Sequence, residues 1–218
     1  GELAKLVFLD YNGYEAELTL FNKFMKNILE KVEVGKVYEL TKLDAKINDM
    51  RRKKDSPNFI FNFNNISCIN EVKNPELINY FPKQSMINLT DIGHLENYKK
   101  YDEVDILCIV TNHSPAENKT FKNGNSNQMK KLSVATSSGK ETELCAWGDK
   151  ALELEAMNLE KDHIILIRKT QVGEFMGTKN LSTTKQTSIE ANQKNLQSIC
   201  PEELQNILTL LGQGNKIT

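Results

Sequence analysis

Residues 131–147, KLSVATSSGKETELCAW, read as two strand-like runs, Lys131 to Ala135 and Glu141 to Ala146, on either side of Ser138-Gly139. A Ser-Gly pair between two such runs favours a tight reversal, so the stretch predicts a β-hairpin. The same phrase stands 126 residues earlier without a gap. Lys5-Leu6 align with Lys131-Leu132, Gly13 with Gly139, Glu17-Leu18 with Glu143-Leu144, and Phe21 with Trp147. Further along, Val37-Tyr38-Glu39-Leu40 align with His163-Ile164-Ile165-Leu166, and Lys42 with Arg168. One structural unit is used twice in tandem.

Each copy follows the same order. The hairpin of the first runs from Leu3 to Leu9 and back from Tyr14 to Leu20, turning at Asn12-Gly13. A helical segment follows the paired aromatic, with Phe24, Ile28 and Val32 four residues apart in one copy and Ala151, Leu154 and Met157 three apart in the other. Another strand comes next, Val37 to Leu43 or Ile164 to Val172. Hairpin, helix, strand and hairpin is the order of the OB-fold, a five-stranded Greek-key barrel with a helix between its third and fourth strands. The second copy supplies a first strand, Val104 to Thr111, and a polar loop, Asn112 to Gln128. The first copy begins at its second strand.

The fold class expected is therefore all-β with short helices: two tandem OB-folds, the first incomplete at its N-terminus. The boundaries are residues 1–70 for the first barrel, 71–101 for a linker with one short helix near Asp91 to Tyr98, and 102–192 for the second barrel. Residues 193–218 form a terminal helix and tail. Pro201-Glu202-Glu203, then Leu204, Ile207, Leu208 and Leu211, then Gly212, give that helix its proline start, acidic first turn, apolar stripe and glycine stop. Its stripe packs on the second barrel or docks a partner.

Composition narrows the function. The chain has 218 residues, with 28 Lys and Arg against 29 Asp and Glu, so a polyanion partner would need a local basic groove rather than a global charge. The longest apolar run, Ile106 to Val110, is far short of the ~20 residues that span a bilayer, so no membrane partner is expected. Cys68, Cys108, Cys145 and Cys200 are widely spaced and show no zinc pattern, which points to buried free thiols in a reducing, intracellular compartment. His94, His113 and His163 are scattered, and there is no phosphate-binding glycine loop or metal-spaced carboxylate pair, so no enzyme activity and no cofactor are expected.

OB-folds hold single strands by stacking bases on aromatics of the barrel face while cations track phosphates. Phe21 and Trp147 stand at the same place in the repeat, at the end of the third strand, where they either plug the barrel or form stacking platforms. Phe175, inside Gly173-Glu174-Phe175-Met176-Gly177, has no obvious core to reach from a hairpin tip. Basic residues gather at Lys119, Lys122, Lys130 and Lys131, at Lys169, Lys179 and Lys185, and at Arg51-Arg52-Lys53-Lys54. Two of these clusters converge on the loops that flank an OB groove in the second unit.

The residues resemble a family. Val104 to Val110, Ser138-Gly139-Lys140, Leu144 to Gly148, Val172 to Gly177 and Ile189 to Asn192 are similar to the second DNA-binding OB domain of the large subunit of replication protein A. Leu20-Phe21-Asn22, Val34 to Tyr38 and Phe63-Asn64-Asn65 resemble the domain before it. The resemblance covers roughly residues 1–192 and includes paralogues such as telomerase-associated or meiosis-specific replication protein A-like proteins. It implies single-stranded DNA binding in replication, repair, recombination or telomere maintenance, a nuclear location, partner subunits of a replication protein A-like complex, and no cofactor. Carried over by position, Trp147 and Phe175 match base-stacking aromatics, Phe21 matches one of two in the first domain, and Lys46 and Lys130 match basic contacts.

Departures accompany the match. The family's second aromatic of the first domain falls at or beside Arg52, one of its basic positions is Glu17, and another, in the second domain, is Gln171. The nucleic-acid-binding set expected is Phe21, Lys46, Arg51, Arg52, Lys130, Lys131, Trp147, Phe175 and Lys179, with no catalytic or metal residues. The alternative is an OB-fold protein-interaction scaffold whose nucleic-acid face has decayed.

Overall fold

The computed structural model describes residues 1–47, 59–120 and 124–212, which divide into two compact units, Gly1–Met86 and Ile87–Thr218. The first contains β1 (Leu3–Leu9), β2 (Glu15–Phe21), α1 (Lys23–Leu29), β3 (Tyr38–Thr41), β4 (Asp44–Ile47), β5 (Phe59–Asn62), β6 (Cys68–Glu71) and α2 (Pro75–Ile78). The second opens with a 3-10 segment, Ile92–Asn97, and continues with β7 (Glu103–His113), β8 (Glu117–Thr120), β9 (Ser126–Ala135), β10 (Glu141–Trp147) and α3 (Asp149–Ala156). It ends with β11 (Ile164–Phe175), β12 (Thr178–Ser182), β13 (Ser188–Glu190), α4 (Gln193–Ile199) and α5 (Pro201–Leu210).

The second unit is a closed barrel. β7 pairs with β9, β9 with β10, β10 in parallel with β12, β12 with β11, and β11 back with β7. That circuit is the OB connection, and closure leaves the five barrel strands without a free edge inside the ring. Ile106, Cys108, Val110, Leu132, Val134, Leu144, Ala146, Val172 and Leu181 fill its interior, joined by Ala151 and Leu154 of α3. Inside the polar loop expected over 112–128, β8 pairs with the outer half of β9.

β7 explains the uninterrupted run Ile106 to Val110. Its alternate residues Leu107 and Ile109 face away from the barrel interior and are covered, with Ile164 and Leu166, by Leu196 of α4 and Leu204, Ile207 and Leu208 of α5. A strand buried on both faces loses the apolar-polar alternation of a half-exposed one. The apolar stripe of α5 is thereby spent on its own barrel, which overturns the alternative that it docks a partner. The stretch expected as a linker is also shared out: Ile92 and Leu95 are buried in the second barrel's core. Asp91 ties that segment to the β9–β10 turn by accepting from Gly93 N, Ser138 Oγ and Thr136 Oγ1.

The first unit repeats the hairpin in the same register. Leu3 lies opposite Phe21 as Met129 lies opposite Trp147, and Leu9 opposite Glu15 as Ala135 lies opposite Glu141. In place of one long fourth strand it has β3 and β4, which pair separately with β6 and β5. The break falls at Lys42, in the left-handed region; the bulge in β11 has Lys169 there. Both lysine carbonyls accept a hydroxyl from the returning turn, Ser67 Oγ in one unit and Thr187 Oγ1 in the other, each at 2.9 Å. Among the described residues no strand joins β1 to β3. The first core is correspondingly thin, with Leu18, Leu20, Ile28 and Phe63 buried and Leu6, Phe8, Phe24 and Phe61 only partly so.

Candidate nucleic-acid interface

Alternation along the strands fixes which side chains leave the barrel. In β10, Leu144 and Ala146 point in, so Glu143, Cys145 and Trp147 point out. In β11, Thr170 and Val172 point in, so Gln171, Gly173 and Phe175 point out. Lys131 lies opposite Cys145, Cys145 beside Ser182, and Ser182 opposite Gln171, which makes one continuous row across four strands of the outer face. Asn180 lies opposite Gly173 in the next row.

The two aromatics expected in the second unit both stand on this face. Trp147 ends β10 half-buried, its backbone amide donating to Thr183 Oγ1. Phe175 ends β11 and is 69% exposed. The sequence suggested a loop at Phe175, but the strand continues through it to a two-residue reversal, Met176-Gly177, both in the left-handed region. That is the backbone of a type I′ hairpin, which matches the twist of the flanking strands and holds Phe175 on a rigid ladder.

The expected cations are placed less simply. Lys130 is 4% exposed, and its ammonium donates to the Ser114 carbonyl and the Glu155 carboxylate. It joins β9 to α3 rather than facing solvent. Lys179 lies opposite Glu174 and donates to it at 2.6 Å, and Glu174 alternates with Phe175 onto the other side of the hairpin. Lys131 is on the outer face, where it donates to both oxygens of Glu143 at 2.9 Å. Burial pushes the Glu143 carboxyl up, but hydrogen bonds from Lys131 and from the Cys145 thiol prevail and hold it below the usual carboxylate range. Cys145, half-buried and donating to that carboxylate, is pushed up to about 12, first by burial and then by Glu143.

The first unit has the same ion pair at the repeat-equivalent positions, Lys5 to Glu17 at 2.9 Å. Glu17 lies beside Ile60, and Ile60 opposite Lys46, so exposed Lys46 ends a row on the outer face of that sheet. Phe21, 44% exposed, shares that face with Leu3 at 51% and Val7 at 54%. Arg51 and Arg52 lie outside the described residues. Residue counting alone did not single out Leu3, Val7, Asn180 or the carboxylate partners of the lysines. The repeat had aligned Lys5 with Lys131 and Glu17 with Glu143, which was the available signal for the pair.

Of the cysteines, Cys108 and Cys200 are buried, Cys145 is half-buried and Cys68 is exposed, so burial does not extend to all four; all are free thiols. Among the described residues no group of three or more His, Cys, Asp or Glu is placed to hold a metal ion, and no helix is long and apolar enough to cross a membrane.

Residues 92–192, the closed barrel with its 3-10 segment, match the family model described as the replication protein A OB domain. The chain is similar to the large subunit of replication protein A. It is 25% identical over 187 residues to one of the 70 kDa DNA-binding subunits of replication protein A in Arabidopsis thaliana, covering 84% of this chain and 30% of that protein. It is 27% identical over 200 residues to another 70 kDa paralogue in the same plant, covering 88% and 30%. The chain therefore spans under a third of the length of these relatives. A solved replication protein A heterotrimer bound to single-stranded DNA shares the fold, with a TM-score of 0.50 at 20% identity over 87% of this chain and 43% of that one. The likeness to the replication protein A large subunit spans both units, whereas the family model falls on the second alone.

Proposed function

We propose that the chain binds single-stranded DNA, chiefly through the outer face of the second barrel. The observation that carries this reading is the pair Trp147 and Phe175, both outward on one strand face of a closed OB barrel, with Phe175 largely free of protein contact. Each stacked base contributes about 1–3 kcal/mol, and stacking tolerates any base because every base has a π-face. Lys131 supplies a cation on the same face once its carboxylate partner yields to phosphate. The relatives, named as DNA-binding subunits of replication protein A, support the same reading; the setting proposed for it is nuclear, in replication, repair, recombination or telomere maintenance, within a complex of further subunits.

A second reading applies to the first unit. Leu3, Val7 and Phe21 put exposed apolar groups around Lys5, itself held by Glu17, on the face where the second unit has Met129, buried, and Ser133 around Lys131. That composition suits a protein partner better than phosphate. Fluorescence anisotropy of labelled ~20-nucleotide single strands, with duplex as competitor, tests both readings. Single-strand binding that survives duplex competition and is lost on replacing Trp147 and Phe175 supports the main one. Binding unaffected by that double replacement, in protein that remains folded, overturns it.

A further inference from the structure

Between Trp147 and Phe175 the outer face carries neutral amides rather than cations. Gln171 and Asn180 sit on adjacent antiparallel strands, one row apart: Gln171 lies opposite Ser182, and Asn180 opposite Gly173. Both are half-buried, and among the described residues neither side-chain amide has a hydrogen-bond partner. Neither amide is among the buried atoms left without a partner, so both remain open to water and can exchange it for an external donor and acceptor.

Gly173 fixes where the Asn180 amide lies. A Cβ built on Gly173 would collide with Asn180 Oδ1, so the amide is laid across the sheet directly above the glycine backbone. It occupies the place on β11 two residues from Gln171, about 7 Å along the same face. The two amides thus belong to neighbouring rows of one outer face, with an aromatic farther along that face on each side.

We infer that Gln171 and Asn180 read base edges and give the second unit a preference for adenine, an assignment that rests on the single-strand reading above. An amide offers one donor and one acceptor side by side. Adenine answers two such forks at once, because its N6 amino group donates on both sides and is flanked by the acceptors N7 and N1. Thymine has only N3–H to share between its two carbonyls, cytosine offers one donor-acceptor edge at N4 and N3, and the N7–O6 edge of guanine holds two acceptors. Single strands leave all of these edges open.

The test is anisotropy of the full chain with labelled 15-nucleotide dA, dT and dC strands, and with a strand of purine nucleoside lacking the 6-amino group. The expected result is dA bound about tenfold more tightly than dT, within the range for one bidentate contact, with the purine-nucleoside strand falling to the dT level. Asn180→Ala, Asn180→Leu and Gln171→Ala each erase most of that preference while leaving dT affinity within about twofold. Equal affinity of the wild-type chain for dA and dT overturns the assignment, as does an equal loss for both strands in the variants. Failure of every strand to bind is a different outcome: it overturns the single-strand reading itself and this assignment with it.

Discussion

The two units share a hairpin register to the residue but not a finished barrel. In the second, β7 closes the ring, α4 and α5 cover its outer side, and the interior is wholly withdrawn from water. In the first, β1 and β3 are not bridged among the described residues, and apolar residues of the same hairpin remain partly wet. Register is therefore set locally, by turn and cross-strand pairing, whereas burial is set by closure. The outer faces diverge as well. One sets Leu3, Val7 and Phe21 around Lys5 with Lys46 beyond; the other sets Gln171, Asn180 and two separated aromatics beside Lys131.

The strongest test of this contrast is the aromatics. Trp147→Ala with Phe175→Ala should cost about 2–6 kcal/mol of single-strand affinity, and Phe21→Ala about 1 kcal/mol or less, as read by anisotropy. Equal losses would show that both faces work alike. Next come the cores: Leu144→Ala should destabilise the second unit by about 4 kcal/mol, whereas the equivalent Leu18→Ala costs about 2 kcal/mol because its looser surroundings can collapse. Denaturant unfolding of the full chain, followed by Trp147 fluorescence for the second unit and by circular dichroism overall, separates the two.

Smaller effects concern the ion pairs. Glu143→Gln should release Lys131, tighten single-strand binding about two- to fivefold at low salt, and steepen the log-affinity against log-salt slope by about 0.7. The equivalent Glu17→Gln should do much less if the first face is not used for DNA. In pH titrations, Glu143 and Asp91 have their carboxyls held low. Burial alone would raise both, but for Asp91 the hydrogen bonds from Ser138, Gly93 and Thr136 prevail, as those from Lys131 and Cys145 do for Glu143. Their stabilisation is complete above the unfolded carboxylate value of about 4 and is lost as pH falls through the lower folded values. Thermal midpoints of the second unit should thus drop by a few degrees on acidification. The finest probe is the thiols: at pH 8, Cys145 should alkylate more slowly than exposed Cys68, and Glu143→Gln should narrow the gap.

Much of this was legible beforehand because a repeat constrains itself. The 126-residue offset aligned Lys5-Leu6 with Lys131-Leu132, Glu17-Leu18 with Glu143-Leu144 and Phe21 with Trp147, and the two hairpins pair internally in that same register. Pro201 and Gly212 framed α5 for local reasons. The 3-10 segment was foreseen near Asp91 to Tyr98, yet its membership in the second core was not, since only Ile92 and Leu95 are buried and two residues make no period. β8 escaped notice because Glu117–Thr120 is exposed throughout and carries no apolar alternation. Lys179 was read by charge alone and Lys130 by charge and by its match to a basic contact of the family, and neither signal reveals that a carboxylate from the neighbouring strand or from α3 will meet the ammonium.

The contact between Gly173 and Asn180 has a consequence on the scale of descent. Because Oδ1 of Asn180 already stands where a Cβ at 173 would go, a side chain gained at 173 turns the Asn180 amide out of its present place. What moves is the tip of a side chain and not backbone, so the change leaves the ladder intact and costs only the amide's position. The two positions are coupled in descent through one rotamer, and a change at 173 alters what 180 presents without touching 180 itself.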